Sequence, residues 1–174
     1  MPLGSNTKLY ETPNHPFQGE RIAEEGDLVG RYGLKNKEEL WRAQSELRDY
    51  RREARRLLGQ VATDALVQQE TEQFLARLVR LGILDEGDGL DNVLGLDVTD
   101  VLERRLQTVA YRKGLANTTQ QARQFIVHGH VTVDGARVTR PSYKVEVAEE
   151  DSLAFDERSP LADELHPERA EGQG

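Results

Sequence analysis

The sequence predicts an α+β fold, on three observations. Apolar residues recur every three or four positions over three long stretches, the spacing of one helical face. Beyond those stretches the chain alternates polar and apolar residues around Asp134-Gly135, the signature of a two-residue hairpin turn. With 37% apolar residues in a chain of 174, there is material for a core, in one domain of ordinary size or two small ones.

Residues 1–35 hold five of the fifteen glycines and three of the six prolines, and their apolar points (Leu9, Tyr10, Phe17, Tyr32 and Leu34) are sparse. They read as an extended arm that docks on something larger rather than on itself. From Asn36 to Leu58 the pattern is helical. Asn36 can cap, with Glu39 three residues on in a capping-box-like arrangement. Leu40, Ala43, Leu47, Tyr50, Ala54 and Leu57 form one stripe, widened by Trp41 and Leu58, and Gly59 ends it. The charged side carries Arg48, Arg51, Arg52, Arg55 and Arg56, with Lys37 in the first turn.

A second helix runs from about Thr63 to Leu81, with Leu66, Phe74, Leu75, Leu78 and Val79 inward, so that residues 36–98 read as a small helical unit followed by an acidic linker. The linker, residues 82–98, mixes four glycines with five aspartates and glutamates; as a calcium loop it fails, because glycines stand where ligands are required. The next helix covers roughly Asp100 to Lys113, with Val101, Leu102, Leu106, Val109 and Ala110 inward and Arg104, Arg105, Arg112 and Lys113 outward. Thr118 to Gln121 opens a further helix that stops at Gly129. His130–Val133 and Ala136–Val138 form the hairpin, Lys144–Val147 and Ser152–Phe155 alternate again, and residues 159–174 read as a loose acidic tail.

Composition excludes whole classes of function. No stretch approaches the roughly 20 apolar residues of a membrane span, and the N-terminus lacks a signal-peptide core, so neither a membrane partner nor export is expected. Without cysteine there are no disulfides, no thiol catalysis and no cysteine-ligated zinc. No Gly-rich phosphate loop or Ser/His/Asp constellation stands out, and no cofactor is expected. The net charge of -8 argues on its face against nucleic acid, but the average conceals its distribution. Residues 104–144 carry eight basic groups and a single acid, Asp134, and residues 31–60 are at +4, whereas residues 61–103 and 145–174 are each at -8. Eighteen of the 23 basic residues are Arg, whose planar fork suits phosphate and base edges.

The string R-R-L-Q-T-V-A-Y-R-K-G-L-A-N-T (104–118), then A-R-Q-F-I-V-H-G-H-V-T-V-D-G (122–135) and V-T-R-P-S-Y-K-V (138–145), resembles the S-four RNA-binding domain, which is a helix–helix–hairpin of the alpha-L type. One departure is Gln107, where that family often has an acid. The N-terminal strings N-H-P-F-Q-G-E-R-I (14–22), R-Y-G-L-K-N-K-E-E-L-W-R (31–42) and R-R-E-A-R-R-L-L (51–58) resemble the archaeal and eukaryotic branch of the small-subunit ribosomal S-four family. The cysteine cluster of some bacterial members has no counterpart here, so no metal is carried over. The expected organisation is thus an arm (1–35), a helical unit and linker (36–98), an S-four domain (99–158) and a tail (159–174).

The resemblance implies a cytoplasmic, ribosome-bound, non-enzymatic protein. It would bind a multi-helix junction in the 5′ domain of small-subunit ribosomal RNA, nucleate the subunit body, lie near the messenger RNA entrance, and touch protein S-five, through which decoding accuracy is influenced. The residues expected at RNA are Arg104, Arg105, Arg112, Lys113, Arg123, Gln124, His128, His130, Arg137, Arg140, Tyr143 and Lys144, with Lys37, Arg48, Arg51, Arg52, Arg55 and Arg56 of the first helix. Arg123→Ala is expected to weaken binding without disturbing the fold. His128 and His130 can stack on a base, bond a phosphate, or serve only the turn; as metal ligands they would need His15 or His166. The rivals are an RNA-modifying enzyme, for which 29 residues after the hairpin leave no catalytic domain, and a free-standing S-four stress factor. The acidic, Lys-poor profile points to a halophilic archaeon.

Overall fold

A computed structural model describes residues 8–60 and 64–169. Helix α1 (Gly19–Tyr32) leads into α2 (Lys37–Leu58), α3 (Ala65–Arg80) and two short helices, α4 (Leu90–Leu94) and α5 (Val98–Leu102). These wrap one core. All six stripe residues of α2 are buried in it, beside Phe74, Leu78, Val93, Leu96, Val98, Val101 and Leu102. Asn36 caps α2 by accepting from the Glu39 amide. Helices α6 (Leu106–Arg112) and α7 (Thr119–Val127) then enclose a second core with a small antiparallel sheet. Its order is β2 (Ala136–Arg137), β1 (Val131–Val133), β3 (Ala154–Phe155). The Asp134-Gly135 turn has both residues at positive φ (50° and 77°), the geometry whose twist matches a hairpin.

Several expectations are corrected. The segment read as an extended arm contains the fourteen-residue α1. Three glycines and no side-chain cap weaken its local signal, but Leu28, Val29 and Tyr32 pack against the first core and Glu25 is buried beneath Trp41. Tertiary packing overrides propensity there. Residues 10–11 lie along the outer side of α2, with Tyr10 tilted on Trp41 at 6.1 Å and the Glu11 amide donating to Ser45 Oγ at 3.0 Å. Leu9 and Phe17 remain exposed.

The acidic linker is no linker: Ile83, Leu84, Val93 and Leu96 are in the core, while Asp88 ties the turn before α4 through the Asp85 amide and Asn92, and Asp97 caps α5. Leu66 is exposed, one turn outside the apolar face of α3, and Thr63, the expected start of that helix, lies outside the described residues. The single helix expected over 100–113 is two. Residues Glu103–Arg105 interrupt it, because Arg105 adopts an extended conformation and becomes the N-cap of α6. Of the two further alternating stretches, Lys144–Val147 yields only an isolated bridge from Lys144 to Arg105 and Ser152–Phe155 pairs only at Ala154–Phe155, with a 3-10 turn, Val147–Ser152, between them. Leu161 anchors the supposedly loose tail in the second core.

The two cores meet at Gly33, which ends α1 at φ +62°. A Cβ there would stand 2.6 Å from Gln107 Nε2 and 2.8 Å from Thr119 Oγ1. Gly33→Ala is therefore expected to cost about 2 kcal/mol or more, from the left-handed conformation and the displaced contacts. The urea midpoint would report it, and an unchanged midpoint would refute the close approach.

Candidate nucleic-acid interface

The helix pair and hairpin are held as one unit by backbone contacts that also cap α6. Its orphan amides find partners outside the helix, Leu106 N donating to Tyr143 O (2.7 Å) and Gln107 N to Pro141 O (3.2 Å). Val145 N donates to Arg104 O at 3.0 Å, so the segment that follows the hairpin, residues 141–145, is strapped along the start of the helix.

This strap sets where the cations go, and four of them do not face outward. Arg105 has only 5% of its side chain exposed and pairs with Glu39 at 3.5 Å. Arg123 grips the same carboxylate with both nitrogens, at 3.0 and 2.9 Å. Arg104 lies against Glu150 and donates to Val145 O at 2.7 Å. Lys144 pairs with Glu46 of α2 at 3.1 Å and donates to Val101 O at 3.3 Å. Burial pushes both Arg105 and Lys144 below their ordinary ionisation range, and Glu39 and Glu46 respectively oppose that. The outward placement expected of Arg104 and Arg105 is thus overturned: the break after α5 turns both into the joint. Arg123 has a packing role that its motif position did not disclose.

The remaining cations of the block are more exposed, and most are also paired. Arg112 meets Glu103 at 3.1 Å, Lys113 meets Asp151 at 3.3 Å, and Arg137 meets Asp156 at 2.8 Å. Among the described residues Arg140 is the one cation of residues 104–144 without a carboxylate partner; its guanidinium lies 5.7 Å from the Tyr143 ring centre. Tyr143 donates to Glu149 at 2.8 Å, and that bond, with burial, pushes its hydroxyl up. The α2 cations form a separate group. Arg48 pairs with Glu11, Arg52 with Asp49, Arg56 with Glu53 and Glu70, and Lys37 with Glu25. Arg51 donates to Leu96 O, and Arg55 stays exposed.

Gln124 and His128 lie exposed on α7 and at its end. His130 is half-buried, its ring 6.3 Å from that of His128, with Nδ1 2.7 Å from Ser159 Oγ. No group of three metal-ligating side chains comes together among the described residues.

Three residues at the joint escaped sequence reasoning. Glu39 was read as a cap, yet its carboxylate accepts from the Lys35 amide at 3.0 Å and from two arginines instead. Gln107, completely buried, donates to Gly33 O (2.8 Å) and Thr119 O (2.9 Å), tying α1 to α7. Glu103 accepts from Tyr32 Oη at 2.8 Å, and burial with this bond pushes the Tyr32 hydroxyl up to about 12. The one available signal was Gln107 standing where an acid is usual.

Comparison with known proteins divides the chain at this joint. Residues 6–103 match the model of the ribosomal protein S4/S9 N-terminal domain, and residues 104–151 match that of the S4 domain. Among similar curated proteins is the small ribosomal subunit protein uS4 of Natronomonas pharaonis, 76% identical over 174 residues, covering 99% of this chain and all of that protein. The uS4 of Haloarcula marismortui is 73% identical over 173 residues, 99% of each chain. That of Methanococcus maripaludis is 53% identical over 163 residues, 93% of this chain and 90% of its own.

Proposed function

The chain belongs to the ribosomal protein S4 family, and from that premise we propose that it is a structural constituent of the small ribosomal subunit that binds a multi-helix junction in the 5′ domain of its RNA. It nucleates the subunit body there, contacts protein S-five, and through that contact influences decoding accuracy; messenger RNA passes near it. The observation that carries this reading is the full-length similarity to uS4 proteins of halophilic archaea, spanning both matched domains. The N-terminal match is also what disfavours a free-standing S-four stress or modification factor, which would need only the second domain. The role is cytoplasmic and requires no catalysis.

Hydroxyl-radical footprinting on naked small-subunit RNA tests it. Protection should cluster on helices that converge at one junction of the 5′ domain, and dispersed or absent protection would refute the reading. Within the interface, Arg140 has no internal carboxylate to leave. Arg140→Ala should weaken binding about tenfold, the scale of one charge-assisted phosphate contact. Arg137→Ala should weaken it less, since Asp156 competes for that guanidinium. Filter binding at fixed salt compares the two, and the reverse ranking would discard this assignment. Affinity should persist at molar potassium chloride if fit rather than counterion release dominates.

A further inference from the structure

We propose that the C-terminal segment and α7 together form a pocket for a single unstacked RNA base. This rests on the RNA-binding reading above and adds to it a site and a ligand class. A cavity of about 400 Å³ opens between the two elements, with Gln124, His128 and His130 on one wall and Leu161, His166 and Glu168 on the other. Phe125 and Pro160 also line it.

The segment is held against α7 by specific contacts. Gln121 Nε2 donates to the Glu168 carbonyl at 3.1 Å, and Leu161 is buried in the second core. Arg169 lies 5.2 Å from the Phe155 ring centre and donates to Ala162 O. Ser159 Oγ accepts from the Leu161 amide at 3.1 Å while it contacts His130 Nδ1 at 2.7 Å. His166 Nδ1 accepts from the Glu168 amide at 3.1 Å. Both of these imidazoles are therefore tethered through Nδ1, which leaves Nε2 of each for a ligand.

The lining fits a base better than a phosphate. Three imidazole rings supply flat faces for stacking over the buried Phe125, and the Gln124 amide offers a donor and an acceptor to a base edge. The Glu168 carboxylate, which also accepts from Gln121 Nε2 at 3.4 Å, repels phosphate but can accept from an N–H donor of a base edge. A metal ion is not the occupant, since the histidines do not converge as ligands among the described residues.

The test uses the full chain bound to a transcript of the 5′ domain of small-subunit RNA. Ultraviolet cross-linking followed by peptide mapping should place nucleotide adducts on the peptides that carry His128 and His166. A variant carrying both His128→Ala and His166→Ala should bind about tenfold more weakly, within the range of one lost stacking contact. Both sites are at the surface, and an unchanged denaturation midpoint confirms the fold. Adducts absent from both peptides, or wild-type affinity in the double variant, would each overturn the pocket while leaving RNA binding intact. Failure of the wild-type chain to bind the transcript would overturn both readings.

Discussion

Glu39→Ala is expected to destabilise the folded chain by about 3 kcal/mol or more, the usual result of removing one partner from a buried charge cluster. Glu39 has 20% of its side chain exposed and neutralises Arg105, at 5%, and Arg123, at 24%. Without it two guanidiniums face each other at the joint, one of them cut off from water. Arg123→Ala removes the more exposed partner and should cost less, but it should still move the denaturation midpoint, contrary to the purely RNA-facing role its motif suggests. Acid provides a second reading of the same cluster. Burial is the largest single influence on Glu39 and opposes its ionisation. The hydrogen bonds from Arg123 and the Lys35 amide, with the charges of Arg105 and Arg123, outweigh burial and hold the carboxyl below its ordinary 4.5. The folded state therefore binds this proton more weakly than the unfolded chain does. The resulting stability is complete above the unfolded value and is lost as the pH falls through the lower, folded one. In Glu39→Gln that decline should be shallower than in the wild type, and parallel declines in urea titrations across the acid range would refute the assignment.

Gln107→Leu should cost about 2–4 kcal/mol, because the replacement keeps the bulk but leaves two buried carbonyls without their donor. Those carbonyls belong to Gly33 and Thr119, on opposite sides of the joint. The lost amide oxygen also accepts from Arg105, at 3.4 Å. Gln120→Ala is the control. Its amide bonds Gly30 O across the same joint at 3.3 Å but is exposed, so the change should stay within about 0.5 kcal/mol. Equal effects of the two substitutions, measured by chemical denaturation, would show that burial at Gln107 does not matter.

The sequence disclosed what is local. The stripe from Leu40 to Leu57 maps onto the buried face of α2 residue by residue, and Asn36, Asp134-Gly135 and Thr118 act at the positions their chemistry requires. It concealed what depends on distant partners. Helix α1 forms in a glycine-rich segment because α2 offers it a surface, and α4 hides among acids because only its apolar side counts toward the core. Cations misled most. A run of Arg and Lys specifies charge but not direction, and Glu39 lies 66 residues from Arg105 and 84 from Arg123. No helical or strand period links positions so far apart, so three-residue spacing from Asn36 gave Glu39 only its minor role.

The pairing of cations with internal carboxylates has a kinetic consequence. A chain whose basic block already sits beside Glu103, Asp151 and Asp156 projects a weak long-range field, so its encounters with RNA are steered less than those of a bare basic patch. On the proposed reading, collisions with the wrong strand would be brief, because Arg112, Lys113 and Arg137 can each return to its own acid. Residence lengthens only where a rigid surface lets several of those exchanges happen together. On that reading the acids would trade speed of capture for selectivity of release.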